Sequence, residues 1–146
     1  MKVIIESAGK VASRVRLGEH EIVFDQPPPV RGGEDRGPSP LDVLVASVGA
    51  CAHYYAAAFL QARGVPVATL AVEVEADKEH LPVPRVARLA LKVRVPDSLS
   101  EQQLIGVVRA IKRCPAYGTL VSAPAVDLSV EIVRAEGDGR QDPASA

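Results

Sequence analysis

Two cysteines, Cys51 and Cys114, are the residues of this chain best suited to chemistry. A thiolate is a strong nucleophile, and two thiols can pass electrons to a substrate by closing into a disulfide that a second dithiol reopens. In a cytosolic chain such a pair is more often reduced and catalytic or redox-sensing than a structural bridge. Plain packing is the competing reading, because free cysteine is among the most buried residue types and Cys51 stands in an apolar stretch that would solvate a thiolate poorly. No CxxC is present, which argues against thioredoxin-like exchange. His20, His53 and His80 are scattered with no HxxxH spacing, so no metal is expected.

The elements that must hold the cysteines can be read from breakers and periodicity. Ser39 is placed to cap a helix, Pro40 suits its first turn and Asp42 stands three positions after the cap. Arg63-Gly64-Val65-Pro66 supplies a cation, a left-handed position and a stop. These signals predict a helix from about Pro40 to about Arg63, with Cys51 some three turns in. Asp42, Ser47, His53 and Gln61 are the main polar interruptions in its interior, so it must be buried on every side. A membrane span is the competing reading on length; the weight of Ala and Gly, His53 at mid-span and the absence of flanking basic clusters oppose it.

The first twenty-five residues read as a three-strand meander with turns at Ala8-Gly9 and Gly18-Glu19, followed by a breaker-rich loop over 26–40. Alternation predicts strands from Thr69 to Ala76 and from Val86 to Val95, the second presenting Ala87, Leu89, Leu91 and Val93 to the core and Arg88, Lys92 and Arg94 toward Glu73 and Glu75. A second helix is expected to start near Ser98, with Glu101 three residues on. It carries Leu104, Val107, Ile111 and Cys114 on one face and closes at Pro115. Val126, Leu128, Val130 and Ile132 alternate as a last strand. The expected fold is α+β, β-β-β-α-β-β-α-β, in one domain over 1–134 with a polar, disordered tail over 135–146. A single small sheet cannot cover a helix that is apolar all round, so a second copy of the chain is expected as cover.

Residues Gly37-Pro38-Ser39-Pro40-Leu41-Asp42-Val43-Leu44, then Val48-Gly49-Ala50-Cys51, and Arg113-Cys114-Pro115 resemble the signature of the OsmC/Ohr superfamily, over residues from about 1 to about 134. The resemblance implies an OsmC-like fold with a long buried central helix in an intertwined homodimer. It further implies a thiol-dependent peroxidase for organic hydroperoxides, serving oxidative-stress defence. Cys51 would be the peroxidatic nucleophile and Cys114 the resolving thiol; a dithiol reductant, in one branch a lipoylated protein, would reopen their disulfide. No resident cofactor is implied, since a sulfenic acid beside a second thiol condenses to a disulfide unaided.

In the family an arginine from the N-terminal strands supports the nucleophile and is held by an acidic residue early in the long helix. Arg14, Arg16 and Arg36 all remain candidates for that arginine. The family's glutamate position is occupied here by Leu41; Asp42 is turned about 100° from it and reads better as a capping residue, leaving Glu34 as a carboxylate from the loop. His53 lies on the side of the helix opposite Cys51 and reads as a packed or interface residue, while Tyr54 or Tyr55 could line a substrate pocket, with core packing the blander role. Leu41 favours an alternative function, a non-catalytic small-ligand-binding or scaffold dimer on the same fold.

Composition excludes other classes. At 146 residues, 47% hydrophobic and a net charge of -1, the chain suits one globular domain rather than a disordered one. Basic residues are dispersed and aromatics make up 3%, which leaves neither a charge stripe nor a stacking platform for nucleic acid. No secretory h-region follows Met1, and a cytoplasmic location with no membrane partner is expected.

Overall fold

The computed structural model describes residues 1–132. Strands β1 (Ile4–Ser7), β2 (Ser13–Leu17) and β3 (His20–Phe24) form an antiparallel sheet in that order. Ile5 and Ile22 flank Val15, the best buried residue of the three strands at 7% exposed. Both predicted turns are present, with Gly9 and Gly18 at positive φ as tight reversals require.

Helix α1 spans Pro40–Gln61 and starts as predicted: Ser39 accepts a hydrogen bond from the Asp42 amide at 3.2 Å. It ends two residues before Arg63, and Gly64 takes the left-handed position at φ 70°. Strands β4 (Ala71–Glu79) and β5 (Arg85–Arg94) pair antiparallel, with Val74 opposite Leu91 and Glu73 opposite Lys92. On the outer face Arg94 pairs with Glu73 at 2.6 Å as the alternation implied, whereas Arg88 pairs with Asp77 at 3.1 Å rather than with Glu73 or Glu75. Ala87, expected on the core face, is exposed, because a register shift at Asp77/Lys78 interrupts the alternation at that end of the ladder.

Three other expectations are corrected. Helix α2 runs Glu101–Ile111, capped by Ser100 rather than Ser98, and Gln103 completes a reciprocal capping box with it. Pro115 does not close that helix but opens α3 (Pro115–Val121), with Cys114 at the junction. The expected last strand is absent among the described residues: 123–132 form neither helix nor strand, and Val126, Leu128, Val130 and Ile132 are 86–94% exposed. An alternating segment becomes a strand only when an edge completes its ladder. The expected tail over 135–146 lies outside the described residues.

One core cluster binds the body together. Ala52, Ala56 and Leu60 of α1 are fully buried against Leu70, Val107 and Ile111. Although α1 is long and apolar enough to cross a bilayer, it is the core helix of this fold. It packs on α2, β4, α3 and β5, whereas no strand of the N-terminal sheet makes contact with it to a comparable extent. Leu60→Ala should lower the unfolding free energy by about 2–5 kcal/mol, measured by urea denaturation, because the packed helices close only partly around the lost volume.

Candidate active site

Cys51 sits midway along α1, half-buried, one helical turn beyond Val48 on the same face. Cys114 is 1% exposed and is fixed from both sides by backbone geometry. Its amide donates to Ile111 O at 2.9 Å, and its carbonyl accepts from the Gly118 amide at 2.9 Å. Pro115 makes this break between α2 and α3 favourable, since its fixed φ suits a first helical turn and its missing N–H costs nothing there. The two sulfurs are joined as a disulfide, with Cα atoms 6.1 Å apart across a sequence separation of 63. Two thiols so held can exchange a pair of electrons with no backbone rearrangement.

An apolar cavity of about 390 Å³ opens between α1, β5 and α3, and neither cysteine lines it. Leu44 and Val48 line it on the face of α1 that carries Cys51, and Tyr117 enters three positions after Cys114. Its one charged lining residue, Arg88, is paired with Asp77. Neither tyrosine of α1 lines this cavity. Tyr54 is 65% exposed, and its ring stands edge-on to Tyr55 with centroids 5.4 Å apart. His53 is exposed, two positions from Cys51 and away from it around the helix.

The other candidates gather elsewhere. Arg14 and Arg16 both reach Glu21, with Nε–O distances of 3.1 and 3.7 Å. Glu34 pairs with Lys10 at 2.6 Å, and Arg36 Nη1 donates to Ala8 O at 2.6 Å. Within one chain, therefore, Arg14, Arg16, Arg36 and Glu34 find their partners in the N-terminal sheet and its loop, and the structure does not bring them to Cys51. Asp42 accepts from Ser39 Oγ at 2.7 Å and from Lys78 Nζ at 3.1 Å. The Ser39 hydroxyl and then Lys78 hold its carboxyl below the usual value. It lies nine residues before Cys51, roughly 13 Å along the helix.

The sequence reading missed Asp25, a carboxylate 2% exposed at the end of β3. It accepts from the amides of Gln26 (2.8 Å), Glu34 (3.2 Å) and Arg36 (3.1 Å), and so folds the loop leading to α1 back on itself. The loop passes so tightly that a Cβ at Gly37 would collide with Val23 O. An acid directly before Gln26-Pro27-Pro28-Pro29 was the available signal, because Asx side chains commonly bond amides that follow them.

The OsmC-like protein family model matches residues 32–129. Solved structures share the fold. An OsmC-like protein from Mycoplasma pneumoniae superposes with TM-score 0.70 at 19% identity, covering 84% of this chain and 87% of that one. An organic hydroperoxide resistance protein OsmC from Legionella pneumophila gives 0.60 at 14%, covering 83% and 88%. An OsmC-like hydroperoxide resistance protein from Jannaschia sp. CCS1 gives 0.55 at 18%, covering 88% and 89%. No curated protein matches the sequence.

The Gln26 amide first, then those of Arg36 and Glu34, hold the Asp25 carboxyl below 3.8 against the opposing effect of burial. A depressed folded value contributes stability that is present above the unfolded pKa and is lost as pH falls through the folded one. Asp25→Asn should therefore melt at lower temperature than the parent at pH 7, with the gap narrowing as pH drops below about 4. Thermal melts across pH 2.5–7 read this, and a gap independent of pH would contradict it.

Proposed function

The chain belongs to the OsmC-like protein family, and from that premise we propose that it is a thiol-dependent peroxidase for organic hydroperoxides. The observation that carries the reading is the apposition of Cys51 and Cys114, one half-buried and one buried, at disulfide distance, with an apolar cavity reached at Val48 one helical turn before Cys51. The Cys51 thiolate attacks the terminal oxygen of R–O–O–H. The O–O bond breaks, the alkoxide leaves with a proton as ROH, and Cys51 becomes a sulfenic acid. Cys114 then attacks that sulfur, releasing water and closing the disulfide. An external dithiol reopens it by exchange and leaves as its own disulfide. Two thiols and this reductant suffice, with no resident cofactor. The apolar lining given by Leu44, Val48 and Tyr117 suits an organic group better than hydrogen peroxide. This cycle belongs in the cytoplasm, where thiols are kept reduced.

The working form is a homodimer in this reading. Beside the buried stripe, α1 leaves Ala46, Ala50 and Tyr54 exposed, and the alternating residues of 126–132 lie open as well. A second copy would cover these surfaces, and its N-terminal sheet would carry Arg14, Arg16 or Arg36 to Cys51 to stabilise the thiolate and the departing alkoxide. Leu41 in place of an acid supports the alternative, a non-catalytic small-ligand-binding or scaffold dimer.

Reduced protein treated with one equivalent of cumene hydroperoxide should lose both thiols as an intramolecular disulfide, followed by intact mass and thiol count. Cys51→Ser should not react, with turnover down by roughly three orders of magnitude or more. Cys114→Ser should stop at a sulfenic acid that dimedone traps. Two thiols surviving in the parent protein would leave the binding or scaffold reading. Sedimentation of the parent should give a dimer, and a monomer at micromolar concentration would remove the composite site.

A further inference from the structure

A second groove opens toward the disulfide, with chemistry unlike that of the apolar cavity. It lies between α1 and α2 with a volume of about 750 Å³, floored by Phe59, Gly106 and Ala110 and flanked by Arg63, Arg109 and Arg113. No Asp or Glu lines it. Every arginine on a strand, namely Arg14, Arg16, Arg85, Arg88 and Arg94, is paired with a carboxylate. Among the described residues the three groove arginines form no ion pair, although all three are exposed. In a chain of net charge -1, this is a local concentration of positive charge. Arg63 is held in place: its guanidinium stacks 3.6 Å from the Phe59 ring centroid and donates one bond to Phe59 O at 3.0 Å, leaving most of its donors uncommitted.

The placement of the groove gives it a role. Helices α1 and α2 run antiparallel: Cys51 meets Cys114 at one end, and Phe59 sits against Gly106 further along. Tyr55 of the groove is one turn past Cys51, and Arg113 directly precedes Cys114, so the disulfide stands at the groove's end. Arg113 and Arg109 are about a turn apart, and the Arg63 guanidinium lies over Phe59, roughly 12 Å from Cys51 along α1. A compact anion would engage only part of such a row, whereas an extended segment bearing several carboxylates matches all of it. The groove meets the exposed side of α1 at Ala58, one turn past Tyr54.

We propose that this groove docks an acidic segment of a protein whose dithiol reopens the Cys51–Cys114 disulfide. This rests on the peroxidase reading for the cycle that forms the disulfide, and it names the partner for the reductive half. One partner thiolate attacks a cysteine sulfur; the S–S bond breaks, and the other cysteine leaves with the electron pair and takes up a proton. The partner's second thiol then attacks the mixed disulfide, frees the remaining cysteine and departs as an oxidised disulfide. Carboxylates lying along Arg63, Arg109 and Arg113 hold the attacking dithiol at the groove's end while these steps occur.

The test uses the oxidised full chain and two synthetic dithiol peptides, one flanked by glutamates and one by lysines. Disulfide opening is followed by alkylation and intact mass, and each rate is divided by the same peptide's rate against a small uncharged disulfide to remove intrinsic thiol reactivity. At low ionic strength the glutamate peptide should be faster by roughly tenfold or more, with the advantage shrinking as salt shortens the screening length. In the combined Arg63→Gln, Arg109→Gln, Arg113→Gln variant the preference should fall toward unity. Equal normalised rates in the parent protein, or a preference that survives in the variant, would overturn the proposal. Because the disulfide can be made with a chemical oxidant, this outcome is independent of whether Cys51 reacts with a hydroperoxide.

Discussion

The burial of one stripe of α1, running through Val48, Ala52, Ala56 and Leu60, is the contact on which the remaining structure depends. These small and branched residues let α2 and the β4–β5 hairpin approach closely. The same close approach carries the face with Cys51 toward the end of α2. Gly106 shows how tight the contact is: the Phe59 ring occupies the space a Cβ would need there. Phe59 and Gly106 each stand eight positions from a cysteine on antiparallel segments, so this packing contact sets the register that brings Cys51 and Cys114 together. The redox pair is thus a product of helix packing rather than of local sequence spacing.

The same helix explains why the chain looks unfinished by itself. A hydrophobic helix offers more than one face for burial, yet the elements of this chain occupy only part of its circumference. The surfaces left over are of two kinds, the Ala46–Ala50–Tyr54 side of α1 and the alternating residues of 126–132. An alternating segment without an edge and a helix without a cover are complementary needs, which the proposed dimer would meet together.

Legibility followed the range of the interaction. Both ends of α1 could be read from Ser39, Pro40 and Gly64 because capping acts over three or four residues. The sequence misplaced the start of α2 because Ser98 and Ser100 both offer a cap, and Gln103 is as good a capping-box partner as Glu101. The terminal strand was over-read because alternation reports only that a segment could pair and does not name the edge it would pair with. Of the candidate site, the cysteines were legible through their motifs. The arginines were not, since spacing carries no information on which chain supplies them, and Asp25 escaped notice because its three amide partners are set by a loop fold with no periodicity.

The three candidate arginines are not equally ready to serve a thiolate. Arg36 already donates a 2.6 Å bond to Ala8 O, and its own amide is tied to Asp25, so moving it would disturb the loop that leads into α1. Arg16 is 62% exposed and stays well solvated where it is. Arg14 shares Glu21 with Arg16 at the shorter distance of 3.1 Å, and its Nε is buried without forming a hydrogen bond. Under the dimer proposed above, Arg16 would give up the longer ion pair, whereas Arg14 would bring a buried Nε that makes no hydrogen bond within its own chain.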